Sequence, residues 1–196
     1  MIEVDSRLPD LFRMLLLLGM LTYVVYHELK SGKVYNHLTV SVAVAGMVLN
    51  SVLFGAAIEG GFVYGLIWSG IGLLAGFGIY FIFYVVGLML NCKFIGGGDV
   101  KLMAAIGAVS GLHFTIQVIE YTVLFAALMG VYTLYKNKVL LRGIVRAVRV
   151  FFLMPPDRED EKPIVEGGVR YSIAIAAGVV VAILHFQAMS SRIFPL

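Results

Sequence analysis

The sequence predicts an all-α, polytopic membrane protein: a bundle of about six transmembrane helices with one further helix on the cytoplasmic membrane surface. Hydrophobic residues make up 60% of the chain, charged residues only 14%, and the mean hydropathy is +0.94. In soluble domains about a quarter of the residues are charged. Several apolar runs also reach the roughly 20 residues that a spanning helix needs. Because 196 residues leave room for one such bundle, we expect a single membrane-embedded domain over residues 1–196.

Six apolar runs, bounded by charged residues, Gly or Pro, are the candidate spans. They cover approximately residues 11–26, 38–57, 62–90, 100–109, 114–135 and 171–189. The third run is longer than a hydrocarbon core of about 30 Å requires, so we expect it to tilt or to project into the cytoplasm. Its many glycines predict close helix contacts, and they stand at positions 65, 70, 72, 76, 78 and 87. The fourth run is short and directly follows three glycines.

Between the fifth and sixth runs, residues 139–152 combine regularly spaced arginines with apolar residues. Arg142, Arg146 and Arg149 stand at helical spacing among Leu, Val and Phe residues. This pattern is typical of a helix that lies on an anionic inner leaflet. A basic end of the fifth span without a lipid role explains it equally well. Residues 155–168 then form a polar loop.

The Lys and Arg residues predict the orientation. Twelve of the 15 lie on one side of the predicted spans, against Arg7, Arg13 and Arg192 on the other. Under the positive-inside rule, the loops after spans one, three and five are cytoplasmic and both termini lie outside. We therefore expect a multi-pass protein of the cytoplasmic (inner) membrane. Glu28 and Asp99, at the ends of spans one and three, then meet at its cytoplasmic face.

Composition argues against several classes of function. A single cysteine, Cys92, cannot form an internal disulfide or supply paired CxxC zinc ligands. The four histidines share no ligand spacing, so neither a metal nor another cofactor is expected. The net charge of +3 is explained by the cytoplasmic loops, and nucleic acid is not an expected partner. Acidic residues before the first apolar run also argue against a removable signal peptide.

Three acidic residues stand within or beside the spans, where an ionisable group is a functional candidate by default. They are Glu28, Asp99 and Glu120. Asp99 follows Gly96, Gly97 and Gly98, and an Asp at the first position of a helix can simply cap the free backbone N–H groups. A second acid at the same membrane face favours a chemical role, and the topology supplies Glu28. No motif accounts for Glu120.

Two neighbouring carboxyl groups cannot both ionise cheaply, so they share a proton. The ionised one can then activate a water while the protonated one donates to a carbonyl oxygen, which is aspartyl peptide hydrolysis without a metal. Asp99 is the expected base, because a helix N-terminus favours the anion.

A known family shares these residues. The segment GGGDVKLMAAIGA, residues 96–108, resembles the GxGD segment of type IV prepilin peptidases, relatives of the presenilin-type membrane aspartyl proteases, and most resembles their short Tad-like or CpaA-like form. The segment GVRYSIAIAAG, residues 168–178, is similar to that family's last span, with Arg170 in place of a Pro. The resemblance implies that Glu28 and Asp99 are catalytic. It also implies loop or substrate roles for Lys101, the three glycines and Asn36.

The first catalytic segment departs from the family pattern. In the family, an Asp precedes by eight residues the Asn of an Ile-Pro-Asn or Val-Pro-Asn. Here that Asn is Asn36, Tyr35 replaces the Pro and Glu28 replaces the Asp. The longer side chain moves the carboxylate by about 1.5 Å, and errors of about 1 Å can cost roughly a hundredfold in rate. Three readings stay open: a working Asp–Glu pair, a relative with altered or lost activity, and an engineered substitution. His27 is a further candidate acid–base group.

By this resemblance we expect an endopeptidase that removes the basic leader of type IV pilin-like precursors at the cytoplasmic face. The alternative is an impaired or inactive relative that binds precursors or assembly partners through the same groove. A small transporter or channel is disfavoured, because no chain of polar groups crosses the bilayer. Larger family members also N-methylate the new terminus and many carry paired CxxC ligands, so neither methyl transfer nor zinc is predicted here.

Overall fold

The computed structural model describes residues 7–31, 36–57, 59–89, 95–138 and 171–193, together with residues 141, 144, 145, 148 and 152. Five long helices make up this part of the chain, and no strand occurs in it: α1 (Arg7–Ser31), α2 (Asn36–Ala57), α3 (Gly61–Met89), α4 (Gly97–Lys136) and α5 (Tyr171–Ile193). The expected all-α class is therefore confirmed.

The predicted boundaries of the second, third and sixth runs differ from those of α2, α3 and α5 by no more than a few residues. Two differences concern the candidate site. Helix α1 continues to Ser31, so Glu28 lies inside the helix and not at its end. The fourth and fifth runs are joined in the 40-residue α4, which begins at Gly97 and not near Val100. Gly97 and Gly98, the last two of the three glycines, are thus part of the helix.

Helix α4 is broken at Gly111, which has φ +73° and ψ 179°. We call residues 97–110 α4a and residues 112–136 α4b. The Trp68 ring lies directly against Gly111, in the space that a Cβ would occupy. A side chain at position 111 would therefore collide with the indole and also hold a backbone conformation that L-residues rarely adopt.

The chain reverses its direction at this break. In α4a, Gly107 packs against Gly72 and Met103 against Gly76, so α4a runs antiparallel to α3. In α4b the order is the opposite: Ile116 lines a cavity with Ile71, and Thr122 reaches Tyr80 further along α3. Helices α4a and α4b therefore form a hairpin along α3.

Backbones approach closely where α3 carries some of its glycines. A Cβ at Gly65, Gly72 or Gly76 would overlap backbone atoms of α2 or α4a, whereas one at Gly70 or Gly78 would meet nothing within 4 Å. The predicted close contacts are thus confirmed at Gly65, Gly72 and Gly76 and wrong at Gly70 and Gly78. Small residues permit this approach between helices whose other faces are apolar.

A buried amide on α2 is hydrogen-bonded to three other helices at the Gly111 end of the bundle. Asn50 of α2 is 0% exposed, and its Nδ2 donates to the carbonyl oxygens of Ala108 and Val109, 3.1 Å away in each case. The same Nδ2 donates to Ser69 Oγ of α3 at 2.8 Å, and Asn50 Oδ1 accepts from Arg13 Nε of α1 at 2.8 Å. A helix end leaves carbonyl groups without intrahelical partners, and here the amide takes two of them.

Apolar side chains cover the outside of the bundle, especially on α2 and α3. Within the described residues, three helical stretches are long and apolar enough to cross a membrane, His37–Ala56, Gly61–Leu88 and Gly97–Lys136, and a shorter apolar helix covers Tyr171–Phe186. These features support a membrane protein. The expected six crossings are not confirmed by this measure, because α1 and α5 do not meet it and α4 counts once.

Candidate functional site

Asp99 stands in the first turn of α4a, at the end of the bundle opposite Gly111. Gly96 is the N-cap residue, with an extended backbone at φ −88° and ψ 156°. Asp99 is the third helical residue, and its Oδ2 accepts the Gly96 N–H at 2.9 Å. The expectation that Asp99 occupies the first helical position is therefore wrong. The carboxylate folds back onto the N-cap amide, as in a capping box.

Glu28 of α1 faces the same site. The side chain is half-buried, and its Oε2 is fully buried without a hydrogen bond to any described residue. Its negative charge lies close enough to Asp99 to repel the charge of that carboxylate, while Asp99 itself is only 8% exposed. The two acids that the sequence singled out thus lie within electrostatic reach of each other, in surroundings that screen their repulsion weakly.

The other expected site residues stand near the starts of α4a and α2. Gly97 is exposed and Gly98 half-buried in the first turn of α4a, and Lys101 is exposed one turn later. Asn36 is the first residue of α2, and its side chain is not described. Six further residues singled out in the sequence lie outside the described residues: Tyr35, Arg142, Arg146, Arg149, Gly168 and Arg170. His27 packs against the Tyr23 ring, with 4.5 Å between ring centroids.

Three hydroxyl groups beside Asp99 were not foreseen. We call them the hydroxyl cluster: Tyr80 of α3, Thr122 of α4b and Tyr171 of α5. Tyr80 Oη lies next to the hydroxyls of Tyr171 and Thr122, and the charge of Asp99 acts on both tyrosines. The Tyr80 and Tyr171 rings meet edge to face at 6.2 Å between centroids. Tyr171 belongs to the segment at residues 168–178 that resembles the family's last span. Tyr80 and Thr122 are ordinary residues of apolar helices and carry no sequence signal.

Glu120 is exposed on α4b, away from the pair, and no role follows from its position. Over the described ranges, no group of three His, Cys, Asp or Glu side chains could hold a metal ion. Chemically, the site offers one carboxylate anchored to a helix N-terminus, a second with an unpaired oxygen, and hydroxyl groups behind them. Such a pair can hold one shared proton and polarise a water.

A family model described as the type IV leader peptidase family matches residues 15–131. The matched range includes Glu28, Asp99, Tyr80 and Thr122 and ends before α5. No curated protein and no solved structure matches the chain.

Proposed function

This chain belongs to the type IV leader peptidase family, and from that membership we propose that it is a membrane aspartyl endopeptidase. The substrates are type IV pilin-like precursors, and the bond cleaved joins their short basic leader to the apolar helix that follows. The observation that carries this proposal is the meeting of Glu28 and Asp99 in a largely buried site, where the charge of one acts on the other.

The reaction needs one proton between the two carboxyl groups. Asp99 Oδ2 is anchored to the Gly96 amide, which favours the ionised form, so Asp99 is the base that removes a proton from water. The water oxygen adds to the peptide carbonyl carbon while protonated Glu28 donates its proton to the carbonyl oxygen. Collapse of the tetrahedral intermediate breaks the C–N bond, and a proton passes to the leaving nitrogen, which gives a carboxylic acid and an amine.

Topology brings the scissile bond to these residues. We propose that α4a and α4b each cross the membrane, so that the hairpin at Gly111 provides the fourth and fifth of six spans. With both termini outside, Glu28 and Asp99 then face the cytoplasm. A basic leader stays on that side while the apolar segment of the substrate lies in the bilayer, so the bond between them is held at the inner boundary.

The segment after α4 supports a contact with the inner leaflet. Residues 141, 144, 145 and 148 are helical, and their side chains are exposed and apolar, as is Phe152. Their spacing places them on one side of a helix, and the sequence interleaves three arginines. We propose that this surface helix lies on anionic lipid next to the site.

A second candidate function is binding of precursors without cleavage. It is favoured by Glu28, which stands where the family has Asp, and by Glu28 Oε2, which has no hydrogen bond among the described residues. A carboxylate displaced by about 1.5 Å from the productive position would slow hydrolysis roughly a hundredfold or more.

Cleavage of a type IV prepilin from the same genome, in membranes that contain this chain, separates the two candidates. The native chain is expected to cleave, Asp99→Asn and Glu28→Gln to be inactive, and Glu120→Gln, an exposed acid, to match the native chain. Full cleavage by Asp99→Asn would refute the aspartyl mechanism. If the native chain is silent and Glu28→Asp cleaves, the binding function holds instead.

A further inference from the structure

The hydroxyl cluster is unusual because two of its three polar atoms are buried and incompletely bonded. Tyr80 is 0% exposed, and Thr122 is also 0% exposed. Tyr80 Oη and Thr122 Oγ1 lie near each other, yet neither makes a hydrogen bond of acceptable geometry with a described residue. Leaving a hydroxyl unpaired in an apolar interior is costly. A cluster of such groups next to a reactive carboxylate therefore indicates a polar ligand.

Thr122 differs from five other helical hydroxyl residues of this chain. These five donate to the carbonyl oxygen four residues earlier: Thr22, Ser51, Ser110, Thr115 and Thr133. This local bond is the usual way to satisfy a hydroxyl in an apolar helix. Thr122 Oγ1 does not make it and instead lies against the backbone of Gly178. The hydroxyl is thus held towards α3 and α5.

The hydroxyl cluster has polar groups of the kind that bind a buried water molecule. A buried water needs two to four polar partners, and each hydroxyl of the cluster can both donate and accept. Tyr80 Oη stands between the hydroxyls of Thr122 and Tyr171, and both tyrosines lie within the electrostatic reach of Asp99. Three hydroxyl groups from α3, α4b and α5 are therefore gathered near one carboxylate. A peptide segment is a poorer occupant, because Tyr80 and Thr122 are sealed from the surface.

We propose that the hydroxyl cluster binds water beside Asp99 and supplies the water that is consumed in peptide hydrolysis. The binding of water rests on the cluster itself, and the supply role rests on the proposed function. In the supply role, each turnover transfers one water from the cluster to Asp99, which takes its proton as the oxygen bonds to the carbonyl carbon. Tyr80 is then a positioning residue that acts through the water.

Hydroxyl-radical footprinting of the full chain in lipid nanodiscs tests the binding of water without relying on activity. Radicals made by brief X-ray exposure modify buried side chains only where water is bound. Tyr80 is expected to be labelled several-fold faster than Met103, a reactive side chain that is also 0% exposed but carries no hydroxyl group. Equal protection of Tyr80 and Met103 would overturn the proposal, because the three hydroxyls would then satisfy one another in a dry core.

A matched pair of variants shows whether the labelling of Tyr80 depends on water bound by the hydroxyl cluster. Thr122→Val removes one hydroxyl at nearly constant shape and is expected to reduce the labelling of Tyr80 several-fold. Thr133→Val, whose hydroxyl is bonded within its own helix at 2.7 Å, is expected to leave that labelling unchanged. Equal labelling in both variants would mean that water reaches Tyr80 from elsewhere, and this would overturn the proposed binding site.

The supply role is tested by prepilin cleavage. Tyr80→Phe is expected to lower kcat at least about tenfold with KM unchanged, since the water and not the substrate loses a partner. Tyr132→Phe, at an exposed tyrosine of α4b, is the control. A native kcat in Tyr80→Phe would overturn the supply role. A silent native chain would refute the proposed function, and the footprints would then decide the water site separately.

Discussion

At the scale of single residues, the bond from the Gly96 N–H to Asp99 Oδ2 determines how the Asp99 carboxylate is held. The bond is 2.9 Å long, and the N-cap residue has a backbone close to one that proline can adopt. Within the described part of the chain, the carboxylate is therefore positioned by a backbone donor and not by another side chain. This makes position 96 a sensitive place to disturb Asp99 without touching it.

We predict that Gly96→Pro, which removes that N–H, lowers kcat of prepilin cleavage at least about tenfold, because the freed carboxylate no longer keeps its position. The apparent stability should fall by about 1 kcal/mol, as expected for a lost helix cap. Gly96→Ala is the matched control. It keeps the N–H, and its Cβ would meet Asp99 Oδ2 at an acceptable 3.4 Å. A native kcat in Gly96→Pro would show that the bond does not position the base.

Glu28 differs from Asp99 in how its carboxyl group is held. Its Oε2 is buried and has no hydrogen bond within the described residues, so its position is set by α1 and by repulsion from Asp99. A carboxyl oxygen without such a bond, opposite an anchored carboxylate, suits a proton donor whose partner is the substrate carbonyl.

At the scale of elements, the break at Gly111 decides which residues surround the site. Because α4a and α4b run in opposite directions along α3, both Asp99 and Thr122 come to the Tyr80 end of that helix. A continuous α4 would carry Thr122 far from Asp99, since 23 residues of helix extend about 35 Å. The hydroxyl cluster thus depends on the hairpin, and the Asn50 amide secures the hairpin at its other end.

We predict that Gly111→Ala destabilises the protein by at least about 2 kcal/mol, through the strained backbone and the collision with Trp68. Gly130→Ala is the control, because its Cβ would meet nothing within 4 Å and helical Ala is favoured over Gly. Thermal unfolding in detergent measures both. If Gly111→Ala unfolded at the native temperature, the described break would not be required for the fold.

At the scale of the whole molecule, the arrangement of the helices determines where the site lies along the bundle. Glu28 and Arg13 are 15 residues apart on α1, so the carboxylate pair and the Asn50 network are separated by about 22 Å along the bundle. In the proposed topology, the pair lies near one membrane boundary and the polar network towards the other.

We predict that Glu59, in the turn between α2 and α3, is outside and that Lys138, after α4b, is cytoplasmic. In a Cys92→Ser background, Glu59→Cys should react with a membrane-impermeant maleimide in intact cells. Lys138→Cys should react only after permeabilisation. If Lys138→Cys also reacted in intact cells, α4 would cross the membrane once and the six-span topology would be wrong.

Much of the helical architecture could be predicted from the sequence, because apolar runs report helices directly. The glycine segment before Asp99 and the acid at position 28 were recognisable, and the structure brings them together. The hydroxyl cluster could not be predicted, since Tyr80 and Thr122 carry chemistry only through tertiary contacts between α3, α4b and α5. The helix start at Gly97 was also missed, because a Gly pair is usually unfavourable inside a helix.

The most direct test of the central claim, that Glu28 and Asp99 share one site, is a double-mutant cycle of thermal stability at pH 8. Removing either charge by Glu28→Gln or Asp99→Asn should relieve repulsion, and the second change should then add little. The expected coupling is at least about 0.5 kcal/mol, the range found for groups in contact. Additive effects of the two substitutions would show that the carboxyl groups do not interact and would contradict the account.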